Sequence, residues 1–292
     1  MTLPIDTARK GAALMILAGA AFALVNVAVQ GATMARGAAA PTVVFWQYAI
    51  ALGLCLPLLN LPRVIRAGDW RWHLLRVGLA VGGVQLWAAG LAHVPIWQAI
   101  SLILLSPLFV TLGARFWLEE ALTGARLGAV LLGLMGGVVI LAPWTDAFAP
   151  AALLPVGAAA LWAGTTLVTK RLAATEDAAT LTFWLLALLV PVNLGLAWPV
   201  GLGLGGAWSL ALVAGAATAL AQYALAAAYR RADAAFLQPF DHVKLPLNIL
   251  FGFLAFGFAP EGWIWGGVAM IAGAGLYIVW RERKADQAQN MG

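Results

Sequence analysis

Along the chain, apolar stretches of membrane length alternate with short breaks that carry charge, proline or glycine. They fall at about 11–30, 42–61, 71–91, 97–117, 125–143, 151–170, 179–200, 207–229, 234–256 and 262–281. A helix rising 1.5 Å per residue needs about 20 apolar residues to cross a bilayer core, so the pattern predicts ten spans. Lipid offers no partner to a backbone N–H or C=O, and the two-residue alternation of barrel strands is absent, so the spans are read as helices. The breaks are too short for an extramembrane catalytic domain. Any function must reside among the helices.

Composition points the same way. Hydrophobic residues make up 63% of the 292 positions and charged ones 10%, against roughly 45–50% and 25% in soluble domains. With an N-terminus in the cytoplasm, Arg9, Lys10, Arg63, Arg66, Arg71, Arg76, Arg115, Arg126, Lys170, Arg171, Arg230, Arg231, Arg281, Arg283 and Lys284 fall on one side, and Arg36 falls on the other. The positive-inside rule then places both termini in the cytoplasm of a cell whose inner membrane holds the protein. The net charge of +5 thereby reports topology and gives no basis for nucleic-acid binding. Cys55 is the single cysteine and the three histidines are scattered, so neither a disulfide nor a metal cage is expected, and no cofactor is implied. No Walker sequence occurs, so no ATP site is expected within the chain.

The hydrophobic pattern repeats with an offset of about 137–140 residues. Residues 104–120, LLSPLFVTLGARFWLEE, align with 244–261, KLPLNILFGFLAFGFAPE, each placing a proline (Pro107, Pro246) inside the fourth span of its half. Five spans per half is odd, so the second copy enters the membrane from the opposite side. The expectation is an all-α membrane protein of ten transmembrane helices, in two inverted five-helix repeats (1–147 and 148–292) around a central cavity.

Ser106-Pro107, the glycine-containing apolar stretch after it and Glu119-Glu120, set in a ten-span frame, resemble the EamA-type branch of the drug/metabolite transporter superfamily. Within that branch the chain is similar to exporters of aromatic amino acids. The resemblance implies secondary export of those amino acids and related small metabolites by alternating access. A broad efflux carrier for amphipathic metabolites or drugs stays open as an alternative, and a membrane-embedded enzyme is disfavoured because polar groups cluster in one span only.

That span is the ninth. Gln238, Asp241, His242, Lys244 and Asn248 fall within about 160° of helical arc, and a lysine at mid-bilayer costs at least about 2.5 kcal/mol unless it faces protein or water. Lys244 is therefore read as a substrate group for a carboxylate, with His242 beside it. Asp241, Asn248 and Gln238 are read as coupling or supporting groups. An Asp241–Lys244 ion pair is the plainer alternative. Trp162, deep in its span, and Tyr223, next to Gln222, offer aromatic walls; Asn26, Gln85 and Gln222 are candidate cavity amides. Pro107 and Pro246 are candidate hinges. The expected partners are a small-molecule substrate and membrane lipid. Whether protons drive transport is open at this point.

Overall fold

The computed structural model describes residues 5–58, 69–117, 124–146, 148–172, 175–176, 178–229, 231 and 244–289. Among the described residues eleven α-helices form: α1 (Ile5–Gln30), α2 (Ala40–Cys55), α3 (Trp70–Leu91), α4 (Ile96–Ile103), α5 (Ser106–Trp117), α6 (Gly124–Leu141), α7 (Leu153–Leu172), α8 (Ala178–Ala197), α9 (Trp208–Tyr229), α10 (Lys244–Phe256) and α11 (Ile264–Gln289). Within the described residues six segments are long and apolar enough to cross a membrane, and four shorter apolar helices accompany them. Helices α4 and α5 share one expected span, broken at Leu104–Leu105. Pro107 stands just after that break, at the second residue of α5, where a missing N–H costs no helical bond. Span four is thus interrupted rather than bent.

Packing directions can be read from pairs of touching residues. Between α3 and α7, a Cβ on Gly90 would meet Pro155, one on Gly157 would meet Leu86, one on Gly83 would meet Trp162, and one on Gly164 would meet Leu79. The numbers rise on one helix as they fall on the other, so the two are antiparallel. The same holds for α6 and α11, where Gly133 faces Ala274, Gly136 faces Ile271 and Gly267 faces Ile140. There the backbones nearly touch: a Cβ on Gly136 would lie 2.7 Å from the Gly267 carbonyl oxygen, and one on Gly267 would lie 2.6 Å from that of Gly136. Small residues allow this approach, which dispersion and packing make favourable in lipid.

Helix α9 runs antiparallel to α1, with Met15 packed near Ala228 and Gly31 near Leu210. Helix α10 runs parallel to α1, as Gly19–Lys244 and Gly31–Phe256 show. Since α11 returns from α10 through the connection 257–263, the start of α1 and the end of α11 share one end of the bundle.

The extensive pairings α1·α9, α6·α11, α3·α7, α2·α9, α3·α8, α2·α8, α1·α10 and α5·α7 each join a helix from before residue 147 to one from after 148. Neither half has a core to itself, and the main buried cluster draws on both. Exchanging α1 with α7, α2 with α8, α3 with α9, α4–α5 with α10 and α6 with α11 turns this set of pairings into itself. A sequence signal accompanies the exchange: Thr42-Val43-Val44-Phe45-Trp46 at the start of α2 matches Thr180-Leu181-Thr182-Phe183-Trp184 at the start of α8.

Candidate functional site

Helix phase separates lipid-facing positions from bundle-facing ones. On α1, Ile16, Leu17 and Leu24 are exposed at 39%, 42% and 43%. Phe22 and Asn26 are also partly exposed, although they lie about 140° or more around the helix from Leu17 and Leu24. On α7 the outward residues are Leu153 and Ala160, while Thr166 is exposed and Trp162 partly so, each about 120° or more round from Ala160. Exposure on these inner faces comes from an opening within the bundle. Phe22 and Asn26 are four residues apart on α1, as are Trp162 and Thr166 on α7.

Three side chains from α1, α3 and α10 converge at this opening. Asn26 Nδ2 donates to Asn248 Oδ1 at 2.9 Å, and Trp87 Nε1 donates to Asn26 Oδ1 at 3.1 Å. Asn248, fully buried, donates from Nδ2 to the Lys244 carbonyl at 2.6 Å, which fixes its oxygen toward Asn26. The Trp162 ring lies 5.8 Å from that of Trp87, tilted by 48°, and its edge occupies the gap left by Gly83, where a Cβ would fall 2.6 Å from the indole. The Lys244 ammonium sits 5.1 Å above the Phe22 ring, within range of a cation–π attraction, and its stem rests against Gly19. Gly19 and Phe22 are near the middle of the first span. The ammonium therefore lies against α1 near the middle of that span's length.

Other candidates are placed elsewhere. Tyr223 is 59% exposed, on one stripe of α9 with Leu212, Val213 and Leu220, so it faces lipid; a residue next to Gln222 points about 100° away from it. Gln222 is half-buried on the bundle side of α9 and touches none of the converging side chains among the described residues. Gln85 turns from Trp87 toward α8, where its Nε2 donates to Asn193 Oδ1 at 2.7 Å and Asn193 in turn donates to the Leu189 carbonyl. Pro246 is exposed in the first turn of α10 and lines an apolar surface groove of about 380 Å3 with Leu250, Phe253 and Trp265, so within the described helix it interrupts no bond. Gln238, Asp241 and His242 lie outside the described residues.

A second polar constellation went unread in the sequence. His73 Nε2 meets Glu176 Oε2 at 2.7 Å, with the two side chains 1% and 5% exposed. Arg76, counted above among the positive charges of one side, is 6% exposed inside α3 and donates to the Leu181 carbonyl at 2.9 Å. His73 and Glu176 are 103 residues apart, which no local spacing signals.

Comparison with known proteins fixes the family. The profile of the EamA-like transporter family matches residues 9–142. A riboflavin transporter of Rhizobium johnstonii is 48% identical over 95% of this chain and 93% of its own. The chain belongs to the EamA-like transporter family. It is a multi-pass membrane protein and a secondary transporter, not an enzyme. A riboflavin transporter of Vibrio cholerae is 46% identical over 97% of both chains. A solved crystal structure, 20% identical, superposes with a TM-score of 0.61 over 97% of this chain and 99% of that one, a likeness that speaks for the fold alone. The relatives correct the narrower expectation: they are named for riboflavin, and the resemblance to the aromatic amino-acid exporter YddG yields to them.

Proposed function

We propose that this EamA-like transporter carries riboflavin across the membrane, by alternating access between two inverted five-helix repeats, 1–147 and 148–292. The observation that carries the substrate is the 46–48% identity, over nearly the whole of both chains, to proteins named riboflavin transporters. The inverted frame is supported by the pairing of helices that survives exchange of the halves and by the reciprocal Gly136–Gly267 approach. Positive charge on the end bearing both termini favours an inner-membrane protein with cytoplasmic termini.

Riboflavin is an uncharged flat heterocycle with an imide edge and a polyol tail. Indole and phenyl faces suit such a ring, and Trp162, Trp87 and Phe22 supply them around the inner opening. Asn26 and Asn248 present amide groups that can exchange their mutual hydrogen bond for bonds to the imide, whose N–H donates and whose carbonyls accept. Lys244 then serves a carbonyl or hydroxyl oxygen of an uncharged solute, replacing the carboxylate role expected for an amino acid. Thr166 is suited to the polyol. His242 keeps its proposed substrate-binding role beside Lys244, Asp241 and Gln238 keep their proposed coupling or supporting role on the same span, and the break before Pro107 keeps the proposed hinge role.

The test is counterflow in proteoliposomes loaded with unlabelled riboflavin and given labelled riboflavin outside. Saturable, exchange-accelerated uptake is expected. Absence of riboflavin uptake alongside exchange of phenylalanine or tryptophan would overturn the reading in favour of amino acids.

A further inference from the structure

Glycines line both sides of the contact between α3 and α7, and one of them meets a different kind of neighbour. A Cβ on Gly82, Gly157 or Gly164 would approach the Cδ1 methyl of Leu161, Leu86 or Leu79. Such a methyl swings aside by a change of rotamer. Gly90, at the end of α3, meets the Pro155 ring. At Gly83 the Cβ would lie 2.6 Å from both Cδ1 and Nε1 of Trp162 and 3.3 Å from its Cε2. Those three atoms belong to one rigid ring, so the indole can yield only by moving as a plate.

The surroundings decide where that plate can go. Trp87 stands one turn along α3 from Gly83, is buried and is tied through its Nε1 to Asn26 Oδ1. Helix α3 thus backs the Trp162 ring at two points, a notch at Gly83 and an indole at Trp87. Trp162 keeps part of its surface exposed on the inner side of α7, where Thr166 is exposed as well. Restoring an ordinary contact from 2.6 Å takes a shift of about 1 Å, and the direction left to the ring is away from α3, into the opening. The notch belongs to the first half and the ring to the second, so this seat also registers the aromatic wall against the amides of Asn26 and Asn248.

We propose that Gly83 is a positioning residue for the substrate: its missing side chain seats the Trp162 indole flush with α3 and so sets the clearance that admits a planar fused-ring solute between that ring and the Asn26–Asn248 amides. The identity of the solute rests on the riboflavin reading above; the seating of the ring does not. Gly83 touches no substrate and acts through Trp162 alone. A methyl group at position 83 narrows the slot by pushing the ring forward, an overpacking effect aimed at the bound solute.

Two measurements on the full chain test this. In nanodiscs without substrate, fluorine NMR of 5-fluorotryptophan-labelled protein follows the ring itself, with the Trp162 signal assigned by its loss in Trp162→Phe. Gly83→Ala is expected to move the Trp162 signal further than those of Trp198 and Trp208 at the span ends. In proteoliposomes, G83A should raise the KM for riboflavin counterflow about tenfold and leave Vmax within about twofold of the parent. In a Trp162→Ala background the same Gly83→Ala change should leave KM where it was, whereas a glycine needed only for helix packing acts equally in both backgrounds. An unmoved Trp162 signal, an unchanged KM in G83A, or an equal rise in KM in the W162A background would each overturn the proposal. Should G83A alone fail to fold, recovery of folded protein in the double variant carries the same assignment, and failure of the double variant overturns it. If the parent itself does not exchange riboflavin, the substrate reading falls and the fluorine shift alone decides whether Gly83 seats Trp162.

Discussion

The two corners at which α2 and α8 begin occupy equivalent places in the helix pairing but are built from different chemistry. At the start of α8, a histidine, an arginine and a glutamate are sealed from solvent; at the start of α2, a threonine and a tryptophan bond to carbonyls of residues 201 and 202. Both keep the same aromatic pair, Phe183-Trp184 and Phe45-Trp46. The scaffold therefore dictates an indole at each corner and leaves the remaining contacts free to diverge. A neutral corner separates at the cost of a few hydrogen bonds, whereas an ionic one carries charges that cannot be left alone in the interior.

The largest effect should come from breaking that balance. Glu176→Ala strands Arg76 and His73 in the interior and is expected to lower stability by about 3–5 kcal/mol, seen as a lowered unfolding midpoint in detergent; a loss below about 1 kcal/mol would erase the contrast between the corners. Between them lies the opening that both ends must reach in turn. Trp162→Ala there should reduce riboflavin counterflow about tenfold, the effect of losing one stacking face, while leaving the unfolding midpoint near that of the parent. At the neutral corner, Trp46→Phe keeps the ring and removes the donor to Leu202, with an expected cost of about 1 kcal/mol in the same unfolding assay. Thr42→Val should cost about 0.5–1 kcal/mol, equally at pH 5 and pH 8. A pH-dependent cost at Thr42 would show that the corners do not differ as described.

Much of the frame was legible because lipid leaves few choices. Ten apolar runs had to become helices, and among the described residues helices form in each of them; the odd number per half implies opposite entry, which stays part of the proposed frame. Pro107 marked span four as irregular, and the chain breaks there. The site was only partly legible, for a geometric reason. Tyr223 was read with Gln222 because the two are neighbours in sequence; on a helix such neighbours diverge by about 100°, which sends Tyr223 to lipid, and Gln85, read as a cavity amide, turns instead to Asn193. Phe22 and Asn26, four apart, do share a face, and that spacing was the signal to follow. The threonine-to-tryptophan run at 42–46 and 180–184 could have located both corners from the repeat. His73 and Glu176 could not have been paired, since their meeting depends on how α3 packs on α7 and α8.

The interlocking of the halves also bears on biosynthesis. Helices α1, α3 and α6 take their most extensive contacts from α9, α7 and α11, and at roughly 5–20 residues per second a ribosome needs about 7 to 30 s to deliver the second half. Throughout that interval the first five spans wait in the bilayer with their glycine-lined faces unmatched, so an insertase or chaperone that shelters those faces would raise the yield of assembled protein.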